Sequence, residues 1–178
     1  MILNEEQIIE GCIRKNRRAR KELYEQYHRP MLGVCLRYSS SKDEAEDIML
    51  MGFMNIFKKI ESFSNKGSFI GWMKRIMVNT AIDNYRKNKK HYKHSDIADF
   101  EEEPTLSVEF PDNLAVKDIL AMVQSLPQGY KIVFNLFAIE GYSHLEIAEM
   151  LNVSVNTSKT QLFHARKFLQ RELEKQKV

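Results

Sequence analysis

The sequence has few of the residues that cross-link or break a chain: its 178 residues include two cysteines, four prolines and seven glycines. Cys12 and Cys35 are too few for a disulfide framework or for a four-ligand zinc site, so we expect two buried free thiols. The scarcity of proline and glycine favours long, uninterrupted elements, and the abundance of Lys, Glu, Met, Ile and Leu favours helices.

Long apolar runs are missing as well. The longest stretch without a charged residue extends from Ile119 to Tyr130, and its twelve residues are too few to cross a bilayer. The start of the chain carries Glu5, Glu6 and Glu10 where a targeting leader would be basic and then apolar. We therefore expect a cytoplasmic protein.

The net charge of +3 conceals an uneven distribution. Residues 1–93 contain 19 Lys and Arg against 11 Asp and Glu, a net charge of +8. Residues 94–118 contain one against eight, a net charge of −7, and residues 119–178 contain seven against five, a net charge of +2. A basic body followed by an acidic segment suggests a polyanionic partner, most often nucleic acid.

Apolar residues recur at helical spacing in two blocks of the chain. In the first block the spacing predicts helices over residues 5–16, 17–38, 42–60 and about 69–90, and Pro30 is expected to kink or break the second of them. In the second block the predicted helices cover about 113–125, 128–140, 144–151 and 155–175. Residues 61–68 are interpreted as a loop, and residues 91–112, which have no apolar period, as a linker. Strand-like alternation is absent, so the sequence predicts an all-α protein: two small helical domains joined by an acidic, flexible linker.

The strongest local signal lies between Tyr142 and Leu173. Ser143 and Ser154 are suitable N-caps for a short and for a longer helix, and residues 152–154 supply a tight turn between them. The predicted inward residues are Ile147, Ala148 and Leu151 of the short helix and Ser158, Leu162, Ala165 and Leu169 of the longer one. This arrangement is a helix-turn-helix in the C-terminal domain, whose second helix enters the major groove of DNA.

The outward face of the longer helix carries groups that suit DNA. Amide, ammonium and hydroxyl groups can bond base edges and phosphates, and an aromatic ring can contact a thymine methyl group. The residues that supply these groups are Asn156, Lys159, Thr160, Phe163, His164 and Lys167. A helical hairpin with a solvated polar face is the alternative explanation of the pattern.

A second signal combines aromatic and cationic residues around the predicted loop. The rings are Phe63, Phe69 and Trp72, the cations are Lys66, Lys74 and Arg75, and the following helix adds Asn79, Asp83 and Arg86 on one face. Such a mixture suits single-stranded nucleic acid, in which bases stack and flipped bases are read at their edges. The alternative is that the rings belong to the core and that the cations are solvated; for Trp72 and Ile76 a core position is expected in either case.

A third feature is a run of ten residues, from Ile48 to Phe57, with one amide and no charge. Such a run is apolar on every side of a helix, whereas a helix in a small domain buries only one face. Part of the run is therefore expected to contact a partner, and its methionines suit such a surface. A central helix that is buried all round is the alternative.

Constellations that would support catalysis are missing. The sequence has no glycine-rich phosphate loop, no His-Glu zinc pair at helical spacing and no Ser or Cys in a nucleophile motif. His91 and His94 lie near Asp96 and Asp99, but solvated histidines are expected there rather than a metal site. We therefore expect no metal and no other cofactor.

Together these segments resemble a bacterial RNA polymerase sigma factor of the extracytoplasmic-function (ECF) type, a branch of the sigma-70 family. The resemblance covers about residues 8–90 and 113–174. The first two stretches that carry it are Asp43-Glu44-Ala45-Glu46-Asp47-Ile48 with Gly52-Phe53 and Ile56-Phe57, and Lys66-Gly67-Ser68-Phe69-Ile70-Gly71-Trp72-Met73 with Arg75-Ile76 and Val78-Asn79. The other two are Asp83-Asn84-Tyr85-Arg86-Lys87, and Glu146-Ile147-Ala148-Glu149-Met150-Leu151 with Val153-Ser154, Thr157, Lys159, Leu162 and Ala165-Arg166-Lys167.

The resemblance implies a region-two-like domain over residues 1–92, an acidic linker over residues 93–112 and a region-four-like helix-turn-helix domain over residues 113–178. It implies a transcription initiation factor without catalytic activity, which directs core RNA polymerase to a specific promoter set and helps to melt the DNA. The implied partners are core RNA polymerase, promoter DNA and an inhibitory anti-sigma factor, often one anchored in the membrane. No small-molecule substrate is implied.

The resemblance also assigns roles to residues. Helix 42–60 would dock on the clamp helices of the largest polymerase subunit, through Asp47, Ile48, Leu50, Met51 and Met54. Loop 61–68 would hold an extruded base of the minus-ten element, and the residues implied at that DNA are Phe63, Lys66, Lys74, Arg75, Asn79, Asp83, Arg86 and Lys87. The helix from Val155 would read the minus-thirty-five element with Asn156, Thr157, Lys159, Thr160, Phe163, His164, Arg166 and Lys167. The acidic linker would pass through the basic polymerase channel towards the RNA exit.

Two places depart from the pattern of the family. Leu50 and Met51 stand where members usually have Gln followed by Asp or Glu, which makes this face more apolar. Gln161 stands where many members have Arg, which removes one phosphate or base contact.

One competing hypothesis is a self-sufficient helix-turn-helix regulator, which would leave the aromatic loop and the apolar run unexplained. The other is a nuclease, which would need clustered carboxylates to bind metal.

Overall fold

The computed structural model describes residues 3–92 and 116–176, and every regular element within these ranges is a helix. The prediction of an all-α protein is therefore confirmed. The chain divides into two compact units, Met1–Asn84 and Tyr85–Val178. The predicted linker over residues 93–112 lies outside the described residues.

Four helices and one tight turn make up the first described range. They are α1 (Glu5–Ile13), α2 (Arg17–Tyr38), α3 (Lys42–Lys59), a 3₁₀ turn (Ile60–Ser62) and α4 (Phe69–Tyr92). Residues 63–68 connect the 3₁₀ turn to α4 and correspond to most of the predicted loop. The division between the two units falls inside α4, after Asn84.

Polar side chains determine where the first three helices begin. Asn4 Oδ1 accepts a hydrogen bond from the backbone N–H of Gln7 at 2.9 Å, and the Gln7 side chain accepts one from the backbone N–H of Asn4 at 3.1 Å. Asn16 Oδ1 accepts from the N–H groups of Arg18 and Ala19 at the start of α2, and Ser41 Oγ accepts from the N–H of Glu44 at the start of α3. Each cap satisfies backbone N–H groups that have no partner inside the helix, which is worth about 1 kcal/mol.

Helix α2 passes through Pro30 without ending, so of the expected kink or break at this proline the break does not occur. Proline removes one backbone N–H and with it one hydrogen bond of the helix. Leu23, Met31 and Val34 are buried on either side of the missing bond. Because their packing holds both halves of α2 in the core, it offsets the lost hydrogen bond.

The core of the N-terminal unit is formed by the inner faces of α1 to α4. Helix α2 packs against α1 and against α3. The largest fully buried side chains of this unit are Ile8, Leu23, Met31, Tyr38, Ile48, Ile56, Ile60, Phe69, Met73 and Met77. Full burial of each such side chain is worth about 1.5–3 kcal/mol, so this cluster supplies most of the driving force for folding.

Both cysteines are buried free thiols, as predicted. Burial raises the pKa of Cys12 to about 11 and the pKa of Cys35 to about 12. Because the thiolate is the reactive form of cysteine, both side chains are inert at neutral pH and contribute packing alone. The Cys35 sulfur lies 3.9 Å from the sulfur of Met77, where α2 meets α4.

Helices α3 and α4 approach each other closely at Gly52. A Cβ atom at this position would overlap the sulfur of Met77, so a larger residue would have to displace the buried Met77 side chain. Next to this contact, Asn55 Nδ2 donates a hydrogen bond to Thr80 Oγ1 at 3.1 Å. The single amide of the apolar run therefore has a defined partner on α4.

Four helices and a π-helical segment make up the second described range. They are α5 (Val116–Gln124), α6 (Gln128–Phe134), the π-helical segment (Asn135–Ile139), α7 (His144–Leu151) and α8 (Val155–Gln176). A regular helix over 128–140 is predicted, but its second half is π-helical. The buried Asn135 side chain donates a hydrogen bond to the backbone carbonyl of Lys131 at 2.9 Å, which competes with the regular pattern of backbone bonds.

Helix α8 is the helix around which the second range packs. It contacts α5, α6 and α7. The predicted inward residues are all buried: Ile147, Ala148 and Leu151 on α7, and Ser158, Leu162, Ala165 and Leu169 on α8. The apolar spacing of the sequence therefore predicted the inner faces of both helices correctly.

Gly52→Ala tests the close approach of α3 to α4. The added Cβ would overlap the Met77 sulfur, so we expect the free energy of unfolding of the N-terminal unit to fall by about 1–3 kcal/mol. Trp72 is the only tryptophan in the sequence, and its fluorescence during urea unfolding therefore reports on this unit.

Gly33→Ala is the matched control for this substitution. Gly33 lies inside α2, and no atom lies within 4 Å of a Cβ built there. The control should be unchanged or up to about 1 kcal/mol more stable, because alanine favours helices over glycine. Equal losses in the two variants would contradict the close contact at Gly52.

Candidate nucleic-acid interface

The helix-turn-helix between Ser143 and the end of α8 is built by local capping. Ser143 and Glu146 form a capping box at the start of α7, in which Glu146 Oε2 accepts from the Ser143 N–H at 2.8 Å. Asn152 ends α7 in the left-handed conformation, with φ 53° and ψ 54°. Ser154 Oγ then accepts from the Thr157 N–H at 2.9 Å at the start of α8. The two predicted caps and the predicted turn are confirmed.

The predicted DNA-contacting residues of α8 lie on three sides of the helix. Helical spacing puts Asn156, Thr160, Phe163 and Lys167 opposite the buried stripe, with Lys159 and Arg166 on one flank and Thr157 and His164 on the other. The exposed ones are Asn156, Thr157, Lys159 and Lys167, and the half-buried ones are Thr160, Phe163, His164 and Arg166. The outward side thus presents amide, hydroxyl, aromatic and ammonium groups over more than two turns.

One flank of α8 carries an aromatic cluster that the sequence did not predict. The Phe137 ring stacks on His144 with ring centroids 4.6 Å apart, and the Arg166 guanidinium lies 5.6 Å from the same ring. His144 Nδ1 lies 2.9 Å from the hydroxyl oxygen of the buried Ser158. The one signal of this cluster in the sequence is Ser158, which lies within an apolar stripe. Because a buried hydroxyl needs a hydrogen-bond partner, Ser158 indicates a polar group nearby.

The opposite flank holds His164 against aromatic rings. Its imidazole stacks on Tyr130 with ring centroids 5.5 Å apart and lies 5.3 Å from Phe163. Lys167 Nζ lies 6.0 Å from the Phe163 ring. A base contact made by His164 or Phe163 would therefore involve a ring whose orientation is already fixed by packing.

Both histidines of the helix-turn-helix are held in the neutral form. Burial lowers the pKa of His144 from 6.5, and Lys159 and Arg166 lower it further by repelling the imidazolium charge. Burial and then the charge of Lys167 lower the pKa of His164. At neutral pH the positive charge of this surface therefore comes from lysine and arginine.

Three aromatic rings meet where the loop 63–68 joins α4. Phe63 lies 5.1 Å from Phe69 and 5.4 Å from Trp72, and the Phe69 and Trp72 rings are stacked at 5.7 Å, measured between ring centroids. Phe69 is buried, whereas Phe63 and Trp72 are half-buried. The core position expected for Trp72 and Ile76 is confirmed for Ile76, which is buried, but applies only in part to Trp72. Phe63 and Trp72 remain partly accessible.

The loop itself turns through two left-handed residues. Asn65 has φ 53° and Gly67 has φ 95°, and this conformation suits asparagine and glycine better than other residues. Lys66, between them, is exposed. The loop thus carries an exposed ammonium group three residues before Phe69 in the sequence.

Polar residues follow the aromatic cluster along α4. Spacings of three, four and four put Trp72, Arg75, Asn79 and Asp83 on one side of the helix, and the last three are exposed. Lys74 is exposed as well, but helical spacing puts it close to the opposite side of α4. Arg86 and Lys87 are exposed too, on the part of α4 that belongs to the second unit.

Helix α3 has two apolar faces, and only one of them is buried. The inner face consists of Ala45, Ile48, Met49, Phe53 and Ile56. The outer face has Leu50 at 51% exposure, Met51 at 38% and Met54 at 58%, and exposed Asp47 lies one turn before them. A helix that is buried all round is therefore excluded.

Ile48 is a correction to the predicted partner contacts. Its side chain is 1% exposed and forms part of the core. A partner could reach it only if the helices of the unit separated, which would forfeit the burial of the whole cluster. The prediction that Ile48 contacts the polymerase is therefore wrong.

Two kinds of feature are absent from the part of the chain that the structure describes. In residues 3–92 and 116–176, no group of three or more His, Cys, Asp or Glu side chains could hold a metal ion. In the same ranges no helix combines the length and the apolarity that a membrane span requires. The predicted pair of solvated histidines, His91 and His94, lies outside the residues whose side chains are described.

Two family models match the chain. Residues 23–91 match the model described as sigma-70 region 2, and residues 117–169 match the model described as sigma-70 region 4. The first match contains the loop 63–68, the outer face of α3 and most of α4. The second contains α7 and the part of α8 that carries the predicted DNA contacts.

Curated proteins similar to the chain bear sigma-factor names. The ECF RNA polymerase sigma factor SigW of Bacillus subtilis is 30% identical over 151 residues, which cover 79% of this chain and 81% of that protein. The RNA polymerase sigma-H factor of Pseudomonas aeruginosa is 25% identical over 181 residues, which cover 96% and 94%. Among solved structures, the sigma factor RpoE of Bartonella quintana, in complex with the anti-sigma factor NepR, matches with a TM-score of 0.51 and 21% identity over 86% of this chain and 96% of that one. This structural match shows a shared fold.

The lowered pKa values of His144 and His164 predict a pH dependence of stability. Below about pH 6.5 the unfolded chain binds protons that the folded helix-turn-helix excludes. The contribution of these groups to stability is therefore complete above pH 6.5 and is lost as the pH falls from there towards the folded-state pKa values. NMR titration of the imidazole protons in the full chain should give both pKa values below 6.5.

A paired variant separates these histidines from other titrating groups. His144→Gln combined with His164→Gln should lose less unfolding free energy than the wild type between about pH 7.5 and about pH 5.5. Identical losses in the two proteins, or imidazoles that titrate at or above 6.5, would contradict the assignment.

Proposed function

The chain belongs to the sigma-70 family as an ECF-type RNA polymerase sigma factor, and from this premise we propose which of its surfaces bind core polymerase, unpaired promoter DNA and duplex promoter DNA. A sigma factor is a transcription initiation factor that directs core RNA polymerase to promoters. We propose further that this chain has no catalytic activity of its own and acts in the cytoplasm.

The observation that carries the proposal is the presence of three different surfaces on one chain. They are the outer apolar face of α3, the aromatic rings at loop 63–68, and the outward side of α8. A self-sufficient helix-turn-helix regulator needs only the last of them. An initiation factor needs all three, because it must hold the polymerase, capture unpaired DNA and recognise duplex DNA.

The outer face of α3 is proposed to bind core polymerase at the clamp helices of the largest subunit. Leu50, Met51 and Met54 expose apolar area that a partner would remove from water, at about 25 cal/mol for each Å². Exposed Asp47, at the edge of this face, adds a charged contact. Flexible methionines adapt to the partner surface.

The aromatic rings at loop 63–68 are proposed to receive an extruded base of the minus-ten element. Extrusion costs a few kcal/mol in lost stacking and pairing, which stacking on an aromatic side chain and bonds to the base edge offset. Phe63 and Trp72 are only half-buried, and the same loop carries the exposed Lys66. Residues proposed to follow the DNA from there are Lys74, Arg75, Asn79, Asp83, Arg86 and Lys87.

The outward side of α8 is proposed to read the minus-thirty-five element in the major groove. Asn156 and Thr160 offer hydrogen bonds to base edges, and Phe163 offers an apolar contact to a thymine methyl group. Phosphate contacts are assigned to lysine and arginine on the flanks and at the outward side. The full proposed set is Asn156, Thr157, Lys159, Thr160, Phe163, His164, Arg166 and Lys167.

The domain limits and the remaining partner complete the proposal. We propose a polymerase-binding domain over residues 1–92, a linker over 93–112 that passes through the basic polymerase channel, and a duplex-reading domain over 113–178. The segment 94–118 has a net charge of −7, which suits a basic channel.

The remaining proposed partner is an inhibitory anti-sigma factor, membrane-anchored as in many ECF systems. It would cover the apolar face of α3 when the chain is not bound to polymerase, since exposed apolar area favours association.

The first test combines the chain with core polymerase from the native host. We expect stoichiometric capture of the core enzyme and run-off transcripts from new, specific start sites. Specific duplex binding by the chain alone, with no capture of core enzyme, would instead support the self-sufficient regulator.

Leu50→Asp tests the polymerase-binding face. A carboxylate buried against an apolar partner without a counter-charge is costly, so the affinity for core polymerase should fall by about a hundredfold or more. Ile13→Asp is the matched control, because Ile13 is an exposed apolar residue of α1 outside this face. Equal losses in both variants would contradict the proposed face.

Lys159→Ala tests the duplex-reading side of α8. Removing one phosphate contact should weaken promoter binding of the holoenzyme on all sequences alike and reduce the slope of log affinity against log salt by about 1. Lys175→Ala is the control on the same helix, since Lys175 forms an ion pair with Glu172 at 2.6 Å in the last turns of α8. An unchanged salt slope for Lys159→Ala would remove this residue from the interface.

A further inference from the structure

The methionines of the described chain fall into two groups. Met31, Met49, Met73, Met77 and Met122 are buried, and Met150 is half-buried. Met51 and Met54 alone among the described methionines are exposed, at 38% and 58%. They are three residues apart, so they lie on the same side of α3, next to Leu50.

This separation follows from the packing of α3 on α4. The contact of Gly52 with Met77 turns one face of α3 into the core and leaves the other in water. A modification of Met51 or Met54 would therefore change the outer face while the core stays intact. The same modification of Met73 or Met77 would place a polar group in the core.

We propose that the thioethers of Met51 and Met54 form a reversible oxidation site through which hydroperoxides control docking of core RNA polymerase. The inference rests on the proposed function of the outer face of α3. It adds a modification to that face and names the class of reagent that makes it. The free protein is the target, because bound polymerase would cover both sulfur atoms.

The chemistry is a two-electron oxygen transfer. The thioether sulfur attacks the distal oxygen of a hydroperoxide, the O–O bond breaks, and a sulfur–oxygen bond forms. The sulfur is oxidised to the sulfoxide, and the peroxide is reduced to an alcohol, or to water when the reagent is hydrogen peroxide. A dithiol reductant reverses the change: it gives up two electrons and two protons, becomes a disulfide, and the sulfoxide oxygen leaves as water.

The sulfoxide changes what the outer face can bind. A methionine side chain is apolar and flexible, whereas its sulfoxide is polar and accepts hydrogen bonds. An apolar partner surface offers no donor for that oxygen, so docking would bury an unsatisfied polar group. Two adjacent sulfoxides beside Leu50 would therefore weaken the complex strongly.

The first experiment measures selectivity in the free, full-length protein. Limited treatment with hydrogen peroxide followed by peptide mass spectrometry should show Met51 and Met54 oxidised at least about ten times faster than the five buried methionines. Trp72 fluorescence should keep its native spectrum, since the core is unchanged. Equal rates at exposed and buried positions, or loss of the native spectrum with the first oxidation events, would overturn the proposal.

The second experiment measures core polymerase binding by the same samples. Oxidised wild type should bind about tenfold more weakly than untreated wild type, and a methionine sulfoxide reductase with a dithiol should restore the affinity. Treated Met51→Leu/Met54→Leu should match its own untreated sample, whereas the control Met150→Leu should keep the full loss. An untreated wild type that fails to bind core polymerase would refute the proposed function. Normal binding before treatment, with no change after it, would refute the oxidation site alone.

A substitution that mimics the oxidised state gives an independent check. Met51→Gln/Met54→Gln places a polar group of similar length at each position without any oxidant. This variant should unfold at the same urea concentration as the wild type and bind core polymerase about tenfold more weakly. Wild-type affinity in this variant would contradict the idea that polarity on this face controls docking.

Discussion

The close approach of α3 to α4 at Gly52 is the constraint on which the N-terminal unit depends. The buried Met77 side chain fills the space beside Gly52, so this face of α3 packs against α4 in the core. The Asn55–Thr80 hydrogen bond fixes the same two helices next to that contact. The residues left outside, Leu50, Met51 and Met54, then form an exposed apolar surface, which favours association.

The helix-turn-helix depends on local interactions instead. Capping by Ser143 and Ser154 and the left-handed Asn152 set the angle between α7 and α8 within about twelve residues of chain. Long-range packing adds the contact of His144 with the buried Ser158. One unit is thus specified mainly by a single close helix contact, and the other mainly by its turns.

Helical spacing and caps were sufficient to predict the all-α fold, most helix limits and the inner faces of α7 and α8. The spacing could not tell which side of the run from Ile48 to Phe57 faces inward, because that run is apolar on every side, and Ile48 was therefore assigned to the wrong surface. Pro30 did not break α2 because tertiary packing outweighed one lost hydrogen bond. Phe137 and His144 were missed because two separate elements bring them to α8.

The aromatic rings at loop 63–68 are proposed to capture an extruded base of the minus-ten element in the complex with core polymerase. Permanganate reacts with unstacked thymines, so footprinting of a promoter chosen by start-site mapping tests this claim directly. We expect reactive thymines in the minus-ten element when the chain and core polymerase are combined, and none with either one alone. With Phe63→Ala the complex should still form, but the thymines should no longer react. Thymines that react equally with Phe63→Ala, or with the chain alone, would contradict it.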